Sequence, residues 1–224
     1  YWREALRRDP GDTRCNTSVG LIMYKRGLFG EALDHLERAL DRDSELAEAR
    51  YYAGLCNLWT GDSTAAERQL NLAAYDWQWY AAAHFELAQL KSVQGEYDKA
   101  LEHAGRSLAG NADNMAAHAL KALALNRLGR HEDALAVCDS VQRTDRLNML
   151  SAAERAVALR GLGRDDAGAI DSLLRITRLD DQNHIELAIR CARAGQFRDA
   201  SRYMEMTLDR SAREKPVSPL VYYY

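Results

Sequence analysis

Six glycines recur along the chain at a nearly constant spacing. The intervals between successive members are 34, 34, 34, 34 and 32 residues, and the six are Gly27, Gly61, Gly95, Gly129, Gly163 and Gly195. An alanine follows five residues after each glycine except in the fifth copy, where Ala167 comes one residue early. A period of this length is typical of a tandem array of small units that each pack on their neighbours. The chain is therefore expected to consist of repeats of about 34 residues.

Each repeat has the pattern of two helices joined at the glycine. In the second complete repeat, apolar residues recur at helical spacing both before and after Gly61. Glycine suits this turn because the residue that ends a helix often takes a left-handed backbone conformation, which costs other residues about 1 kcal/mol. The alanine that follows suits a close crossing of the two helices. The pattern therefore predicts one helical hairpin for each repeat.

The unit resembles the tetratricopeptide repeat. Residues 47–80 carry that family's small residue, glycine and two alanines, which are Gly54, Gly61, Ala66 and Ala73. The family's usual tryptophan at the fourth repeat position is absent from every copy, and its usual proline survives only as Pro10. The resemblance implies an all-α fold, a right-handed superhelical solenoid of antiparallel helix hairpins. In such a fold the first helices of the hairpins line a concave surface.

The phase of the repeat divides the chain into complete units with a partial unit at each end. The complete repeats are 13–46, 47–80, 81–114, 115–148, 149–180 and 181–214, preceded by a half repeat at 1–12 and followed by the start of a further repeat at 215–224. We therefore interpret the chain as a single array that is a fragment of a longer, multidomain protein. Half repeats expose apolar faces, so the ends of the array are candidate sites of self-association.

Charge and composition argue against several classes of partner. The net charge is −3, and Lys and Arg are interleaved with Asp and Glu, whereas nucleic acid binding requires a concentrated basic face. No apolar run approaches the roughly 18 residues needed to span a membrane. Cys15, Cys56, Cys138 and Cys191 form no CxxC pair and are interpreted as small buried residues. This cysteine usage favours a reducing, cytoplasmic location.

The concave surface is the predicted binding site for an extended peptide or a helix of a protein partner. The candidate partner-binding residues on the first helices are Tyr24, Lys25, Tyr51, Tyr52, Leu55, Trp59, Phe85, Gln89, Asn126 and Arg127. Further residues expected to line the same surface are Arg14, Thr17, Leu21, Glu48, Leu58, Ala82, Ser92 and Val93 in the first three complete repeats, and Ala119, Leu123, Ala153, Val157, Arg160, Ile185, Ile189 and Arg193 in the last three. Chaperone-binding members of the family hold a peptide's C-terminal carboxylate with a Lys and Asn pair. No repeat carries that pair, which argues against such a clamp.

Aromatic residues crowd the second and third complete repeats. Eight of the chain's 18 aromatic residues fall within residues 51–85. Trp77 and Trp79 are the unusual pair, because they are predicted to lie in the connection between repeats, where the family places polar residues and proline. Three interpretations remain open: the rings fill a gap between hairpins, they contact a protein or domain, or they stack on a sugar.

The sequence carries no constellation of residues that indicates catalysis. His84, His118 and His184 occupy equivalent places on first helices, but no carboxylates or cysteines with ligand spacing accompany them. We interpret these histidines as structural. Nucleophile motifs, phosphate-binding loops and paired carboxylates do not stand out either. The chain is therefore predicted to be a non-catalytic scaffold that needs no cofactor or metal.

A second resemblance concerns the parent protein. The opening YWREALRRDPGDTRCN, the internal AAYDWQWYAAAHFELAQL and the final SPLVYYY are similar to the repeat region of large bacterial proteins in which such repeats follow a β-rich domain related to carbohydrate-active enzymes. That resemblance implies a sugar-related activity elsewhere in the parent. Two functions therefore stay open: an interaction scaffold for a peptide, a partner or another domain of the same protein, and an accessory module that touches glycan through exposed rings.

Overall fold

The computed structural model describes residues 2–177, 181–193 and 195–214, and the secondary structure within these ranges is α-helical. The all-α prediction is therefore confirmed, while the predicted start of a further repeat at 215–224 lies outside the described residues. In chain order the helices are α1 (Trp2–Arg8), α2 (Thr13–Lys25), α3 (Phe29–Arg42), α4 (Ala47–Thr60), α5 (Ser63–Ala73), α6 (Trp77–Val93), α7 (Tyr97–Gly110), α8 (Met115–Arg127), α9 (His131–Thr144), α10 (Met149–Gly161), α11 (Ala167–Thr177), α12 (Asp181–Arg193) and α13 (Phe197–Glu214).

Successive helices pack as hairpins around the recurring glycines. Helices α2 and α3 pair, as do α4 with α5 and α8 with α9. The six turn glycines all have φ between 66° and 87°, in the left-handed region that disfavours residues with a Cβ atom. At five of these glycines an added Cβ would meet no neighbour, so the backbone conformation, and not lack of space, favours glycine there.

Small residues bring the two helices of a hairpin close together. A Cβ atom added to Gly54 would lie 2.7 Å from Cγ of Leu70, and one added to Gly20 would lie 2.7 Å from Cγ of Leu36. The alanines five residues after the first four turn glycines are fully buried. Dense packing of this kind leaves no room for larger side chains at the crossing.

Side-chain caps fix the first residue of several helices. An Asp or Asn just before the helix accepts a hydrogen bond from a backbone N–H of the first turn, which would otherwise have no partner within the helix. These caps are Asp12 before α2, Asp62 before α5, Asn114 before α8 and Asn148 before α10.

Helix α6 begins earlier than the repeat pattern predicts. It starts at Trp77, four residues before the predicted start of the third repeat at residue 81. The prediction that Trp77 and Trp79 lie in a connection between repeats is therefore corrected, because both residues belong to the first turns of α6. This change decides how the two rings are oriented, since residues two apart on a helix point to different sides.

The fifth hairpin also departs from the predicted register. Helix α11 begins four residues after Gly163, whereas the second helix of the other hairpins begins two residues after its glycine. Ala167 is exposed, and the buried alanine of this helix is Ala169. The longer turn, in which Asp165 accepts a hydrogen bond from the backbone N–H of Ala167, moves the buried position one residue towards the C-terminus.

The helices form two compact units, each with its own core. The first unit takes the residues up to Leu87 together with Ala109–Asn111, and the second takes Ala88–Leu108 and the residues from Ala112 onwards. A core cluster of the first unit is built on Ala32, Leu36, Ala39, Ala49, Ala53 and Cys56. In the second unit a larger cluster joins α8, α10, α11, α12 and α13.

Candidate functional site

The predicted aromatic residues of the first unit do come together. The rings of Tyr51, Tyr52 and Trp79 form a mutual contact at the centre. Ring centroids are 4.7 Å apart for Tyr51 and Trp79, 5.3 Å for the two tyrosines and 5.8 Å for Tyr52 and Trp79. Edge-to-face and tilted pairs at such distances contribute about 0.5–1.5 kcal/mol each beyond the burial of their surface. Burial, followed by the charge of Glu48, raises the pKa of Tyr52.

A chain of further rings extends from this centre. Tyr24 lies 5.4 Å from Tyr52 and 5.7 Å from Phe29, and Phe29 stacks on Trp59 with centroids 5.1 Å apart and ring planes 2° from parallel. Trp59 is 59% exposed. We call these six rings the ring cluster: Tyr24, Phe29, Tyr51, Tyr52, Trp59 and Trp79. Its members come from α2, α3, α4 and α6, so it crosses three hairpins of the first unit.

Trp77 does not join the ring cluster. It is 82% exposed, and neighbouring Tyr75 is 88% exposed, whereas Trp79 is half-buried against the two tyrosines. The helical start of α6 explains the difference, because the two tryptophans leave the helix on different sides. The three interpretations of the pair thus separate by residue: Trp79 fills a gap between hairpins, and Trp77 projects into solvent. The two indoles do not form one exposed, coplanar surface.

Two basic residues directly follow Tyr24 of the ring cluster in sequence. Lys25 ends α2, and Arg26 caps the same helix three residues before Phe29. Both side chains are exposed, and neither forms an ion pair with any described residue. Lys25 also occupies the repeat position that Trp59 occupies in the next hairpin, 34 residues later. The exposed end of the ring cluster therefore combines apolar rings with unneutralised positive charge.

Not every predicted partner-binding residue lies on a free surface. Phe85 and Gln89 are half-buried. Leu55 is only 8% exposed, and Asn126 only 5% exposed. Neighbouring helices cover these last two side chains and leave little of either accessible to a partner.

Predicted groove positions in the second unit are buried as well. Ala119 and Leu123 on α8 are fully buried, and Ala153 on α10 and Ile185 on α12 are nearly so. Ala119, Ala153 and Ile185 belong to a single core cluster. These small and branched side chains pack against one another, so this part of the inner face of α8, α10 and α12 belongs to the core.

A buried polar network, which the sequence does not predict, lies in the same region. Glu154 on α10 is 1% exposed, and its Oε2 accepts a hydrogen bond of 2.8 Å from the Asn126 amide. Its Oε1 accepts a hydrogen bond from the amide of Gln196, which is 4% exposed. The Asn126 amide also donates to the Glu154 backbone carbonyl at 2.9 Å, and the Asn126 Oδ1 lies 3.1 Å from Nδ1 of His131. The network thus joins α8, α9, α10 and the α12–α13 turn.

The environment of Glu154 perturbs the ionisation of several groups. Burial raises the pKa of its carboxyl, while the hydrogen bonds from Asn126 and Gln196 lower it. Burial, and then the charge of Glu154, raises the pKa of Cys138 to about 12 and that of Cys191 as well. At the edge of the network Arg127, another predicted partner-binding residue, donates to Asp199 at 3.2 Å.

A cavity lies between the fifth and sixth hairpins. It is partly open to solvent and encloses about 40 Å³, and its lining is mostly apolar. Ala153, Ala156, Leu173 and Leu187 form part of the wall, and the hydrogen-bonded pair of His184 and Thr177 forms another part. The fifth hairpin is the one whose second helix, α11, starts late, so the shifted register of α11 coincides with incomplete packing.

The cysteines and histidines occupy structural positions in the described part of the chain. All four cysteines are buried and unpaired, as the sequence predicts, and burial raises the pKa of Cys56 to about 11. His84 is buried with its ring edge against Tyr80, 4.5 Å away, and His118 hydrogen bonds the backbone carbonyl of Ala112. Among the described residues, no three His, Cys, Asp or Glu side chains could together hold a metal ion.

Hairpins of one length, left-handed glycine turns and buried small residues at each crossing define a helical-repeat protein. Two family models match the chain: the tetratricopeptide repeat over residues 20–83, and the N-terminal TPR repeats region of Psidin over residues 93–168. The chain is a tetratricopeptide repeat protein. No described helix is both long and apolar enough to cross a bilayer.

Several solved proteins share this fold. YrrB, described as a TPR protein with an unusual peptide-binding site, aligns with a TM-score of 0.68 and 16% identity over 79% of this chain and 92% of YrrB. A tetratricopeptide repeat protein from Parabacteroides merdae aligns with a TM-score of 0.70 and 13% identity over 99% of this chain and 87% of that protein. PilF from Pseudomonas aeruginosa aligns with a TM-score of 0.66 and 16% identity over 96% of both chains. At these identities the likeness concerns the fold.

Proposed function

We propose that the chain is a non-catalytic protein-interaction module, and that it binds a peptide or protein segment on the ring cluster of the first unit. The observation that carries this proposal is the indole of Trp59, which is 59% exposed yet stacked on Phe29. Interface residues that contribute most to binding are enriched in Trp and Tyr. A ring already held by its neighbours also loses little conformational freedom when a partner covers it.

Membership of the tetratricopeptide repeat proteins supports an interaction role, since arrays of helical hairpins offer extended surfaces for other chains. YrrB, which shares the fold, is described by its peptide-binding site. Support for a location in the first unit comes from accessibility. The ring cluster includes exposed and half-buried rings, whereas the equivalent inner face of the second unit is buried.

The positive charge beside the ring cluster favours an acidic partner. Lys25 and Arg26 are exposed and form no ion pair within the described residues. A peptide that places an apolar side chain on Trp59 and an acidic side chain next to it would satisfy both features. Such charges mainly raise the association rate and the specificity of binding.

A displayed library of random peptides, selected against the 224-residue chain, tests this proposal. Peptides that enrich are synthesised, and their affinity is measured by calorimetry for Trp59→Ala and for Trp77→Ala. Trp77 is the matched control, since it is an exposed tryptophan of the same unit outside the ring cluster. We expect Trp59→Ala to weaken binding by roughly 30-fold, typical of the loss of a central interface residue. Trp77→Ala should leave the affinity unchanged.

The charge component is tested with Lys25→Glu and Arg26→Glu, for which Arg68→Glu on α5 is the control. Enriched peptides should be acidic, and reversing either charge should weaken their binding while the control does not. Equal losses for Trp59→Ala and Trp77→Ala, or enrichment of peptides without acidic residues, would contradict the corresponding part of the proposal.

Exposure of Trp77 and Tyr75 favours a second candidate function, contact with glycan in an accessory module of a carbohydrate-active enzyme. Both rings are more than four-fifths exposed, and an exposed ring face can stack on a sugar. Titration with oligosaccharides should then change the indole fluorescence of the unsubstituted 224-residue chain but not that of Trp77→Ala. An unchanged spectrum in both proteins eliminates this candidate.

A further inference from the structure

Gly195, which precedes α13, lies against the C-terminal end of α6. A Cβ atom added to Gly195 would lie 2.9 Å from Cα of Val93 and 3.0 Å from the carbonyl oxygen of Ser92. The backbone of this turn therefore touches the backbone at the end of α6, although about a hundred residues separate them in sequence. Gly195 is the one turn glycine of the six whose added Cβ would meet a neighbour. Close approach, and not only positive φ, requires glycine here.

Two polar contacts tie the start of α13 to neighbouring helices, and one of them reaches a buried carboxylate. Gln196 donates to Oε1 of Glu154, and three residues later Asp199 accepts from Arg127 at 3.2 Å. The other oxygen of Glu154 is held by Asn126. The turn is thus fastened to α10 and α8 at two points, one fully buried and one at the edge of the network.

A turn held in this way can open at a moderate cost. Its fastening consists of hydrogen bonds that water can replace, and opening returns the Glu154 carboxylate to solvent. Local openings that expose little apolar surface are the low-energy openings of a folded protein.

We propose that residues 195–199 are a clasp, which fastens the start of α13 to α8 and α10 and opens when the hydrogen bond between Glu154 and Gln196 breaks. In the closed state Gln196 and Asn126 hold the two carboxylate oxygens of Glu154. This inference does not depend on binding at the ring cluster, which lies in the other unit.

Ionisation of Glu154 gives the clasp a pH dependence. The titratable and charged groups that face this carboxyl are Arg127, His131 through Asn126, Cys138, Cys191, Asp199 and Tyr203. Burial raises its pKa above the ordinary value of 4.5. A carboxyl with a raised pKa contributes stability that is complete below the ordinary value and is lost as pH rises through the raised value. The clasp should therefore loosen as pH increases.

Site-resolved alkylation of the cysteines tests the clasp in the full chain. Cys191 on α12 is 1% exposed and lies five residues before Gln196, while Cys56 is fully buried in the first unit and serves as an internal control. We expect Gln196→Ala to accelerate alkylation of Cys191 roughly tenfold, because it leaves Glu154 buried with one oxygen unpaired. Cys56 should react at its parental rate. An unchanged rate at Cys191, or an equal acceleration at Cys56, overturns the proposal.

Glu154→Gln supplies the second variant, and Glu186→Gln, at the same repeat position one hairpin later and exposed, is its matched control. A neutral amide at 154 can accept from Asn126 and donate to the Gln196 carbonyl, so the clasp should stay closed. Amide hydrogen exchange, corrected for intrinsic rates, should show protection of α12 and α13 falling with pH in the parent chain and in Glu186→Gln. In Glu154→Gln that dependence should disappear. The same pH dependence in all three proteins would rule out Glu154 as the fastening group.

Discussion

The two units differ at the same repeat position. At the fifth position of the repeat, two hairpins of the first unit carry Tyr51 and Phe85, whose rings are half-buried, while the first hairpin carries the buried Thr17. The second unit carries Ala119 and Ala153 there, and both are buried. A ring at this place leaves part of its face to solvent, whereas an alanine lets the surrounding helices pack closely. One hairpin framework therefore yields an accessible aromatic surface in one unit and a closed inner face in the other.

Tryptophan content offers a direct way to examine the two units separately. All four tryptophans, Trp2, Trp59, Trp77 and Trp79, belong to the first unit. Indole fluorescence thus reports unfolding of the first unit alone. Hydrogen exchange of the helices from α8 onwards reports the second unit.

The largest effect is expected from Leu36→Ala in the first unit. Leu36 is fully buried between Gly20 and the core of its hairpin. Its truncation should lower the free energy of unfolding by about 3 kcal/mol, the sum of lost burial and an unfilled cavity. Urea unfolding followed by indole fluorescence measures this loss. Exchange in α10 to α13 should be unaffected.

Leu72→Ala on α5 is the matched control, because Leu72 is 37% exposed. Its cost should stay below about 1 kcal/mol. A loss of protection in the second unit equal to the loss in the first would show that the two units unfold as one, which would break the comparison.

Glycines inside helices give the next largest effect, with opposite signs in the two units. An added Cβ at Gly54 meets Leu70 at 2.7 Å, so Gly54→Ala should destabilise the first unit by about 1–2 kcal/mol. Gly105 in α7 has open space around it. Gly105→Ala should stabilise the second unit by about 0.5–1 kcal/mol, because alanine favours the helix. Fluorescence and hydrogen exchange measure the two changes. Destabilisation by both substitutions would refute the packing argument.

The hairpin framework could be predicted from sequence because its determinants are local. A glycine in the left-handed region and a small residue at a crossing act within one repeat, and they recur as often as the repeat does. The fifth hairpin shows the limit of this reasoning. Ala167 lies within one residue of the expected spacing, yet α11 starts late and Ala169 is the buried residue.

The ring cluster could be predicted in part. Tyr24, Tyr51, Tyr52, Trp59 and Trp79 all belong to first helices or the segment before one, and the repeat pattern groups them. Phe29 was not among the predicted residues because it begins a second helix. An aromatic residue two places after a turn glycine is nevertheless a signal that the sequence shows. The exposed position of Trp77 could not be predicted, because it depends on where α6 starts. The repeat phase places that start four residues too late.

The Glu154 network was beyond prediction for a different reason. Its members, Asn126, Glu154 and Gln196, come from three hairpins and lie 28 and 42 residues apart in sequence. Which of these residues meet depends on how successive hairpins stack, and the repeat period in the sequence does not specify that stacking. A glutamate on an otherwise apolar helix face is a signal of a buried carboxylate, but its partners must come from the structure.

The smallest effect concerns the cavity in the second unit and sharpens the contrast between its packed and unpacked regions. Ala156 lines the cavity, while Ala158, two residues later, is fully buried in a separate cluster with Leu125 and Ala134. Ala156→Val adds two methyl groups to unfilled space and should stabilise the unit by up to about 1 kcal/mol, after the cost of a β-branched residue in a helix. Ala158→Val should destabilise it, because no space is present. Hydrogen exchange in α10 to α13 measures both changes, and destabilisation by Ala156→Val would mean that the late register of α11 leaves no usable space beside it.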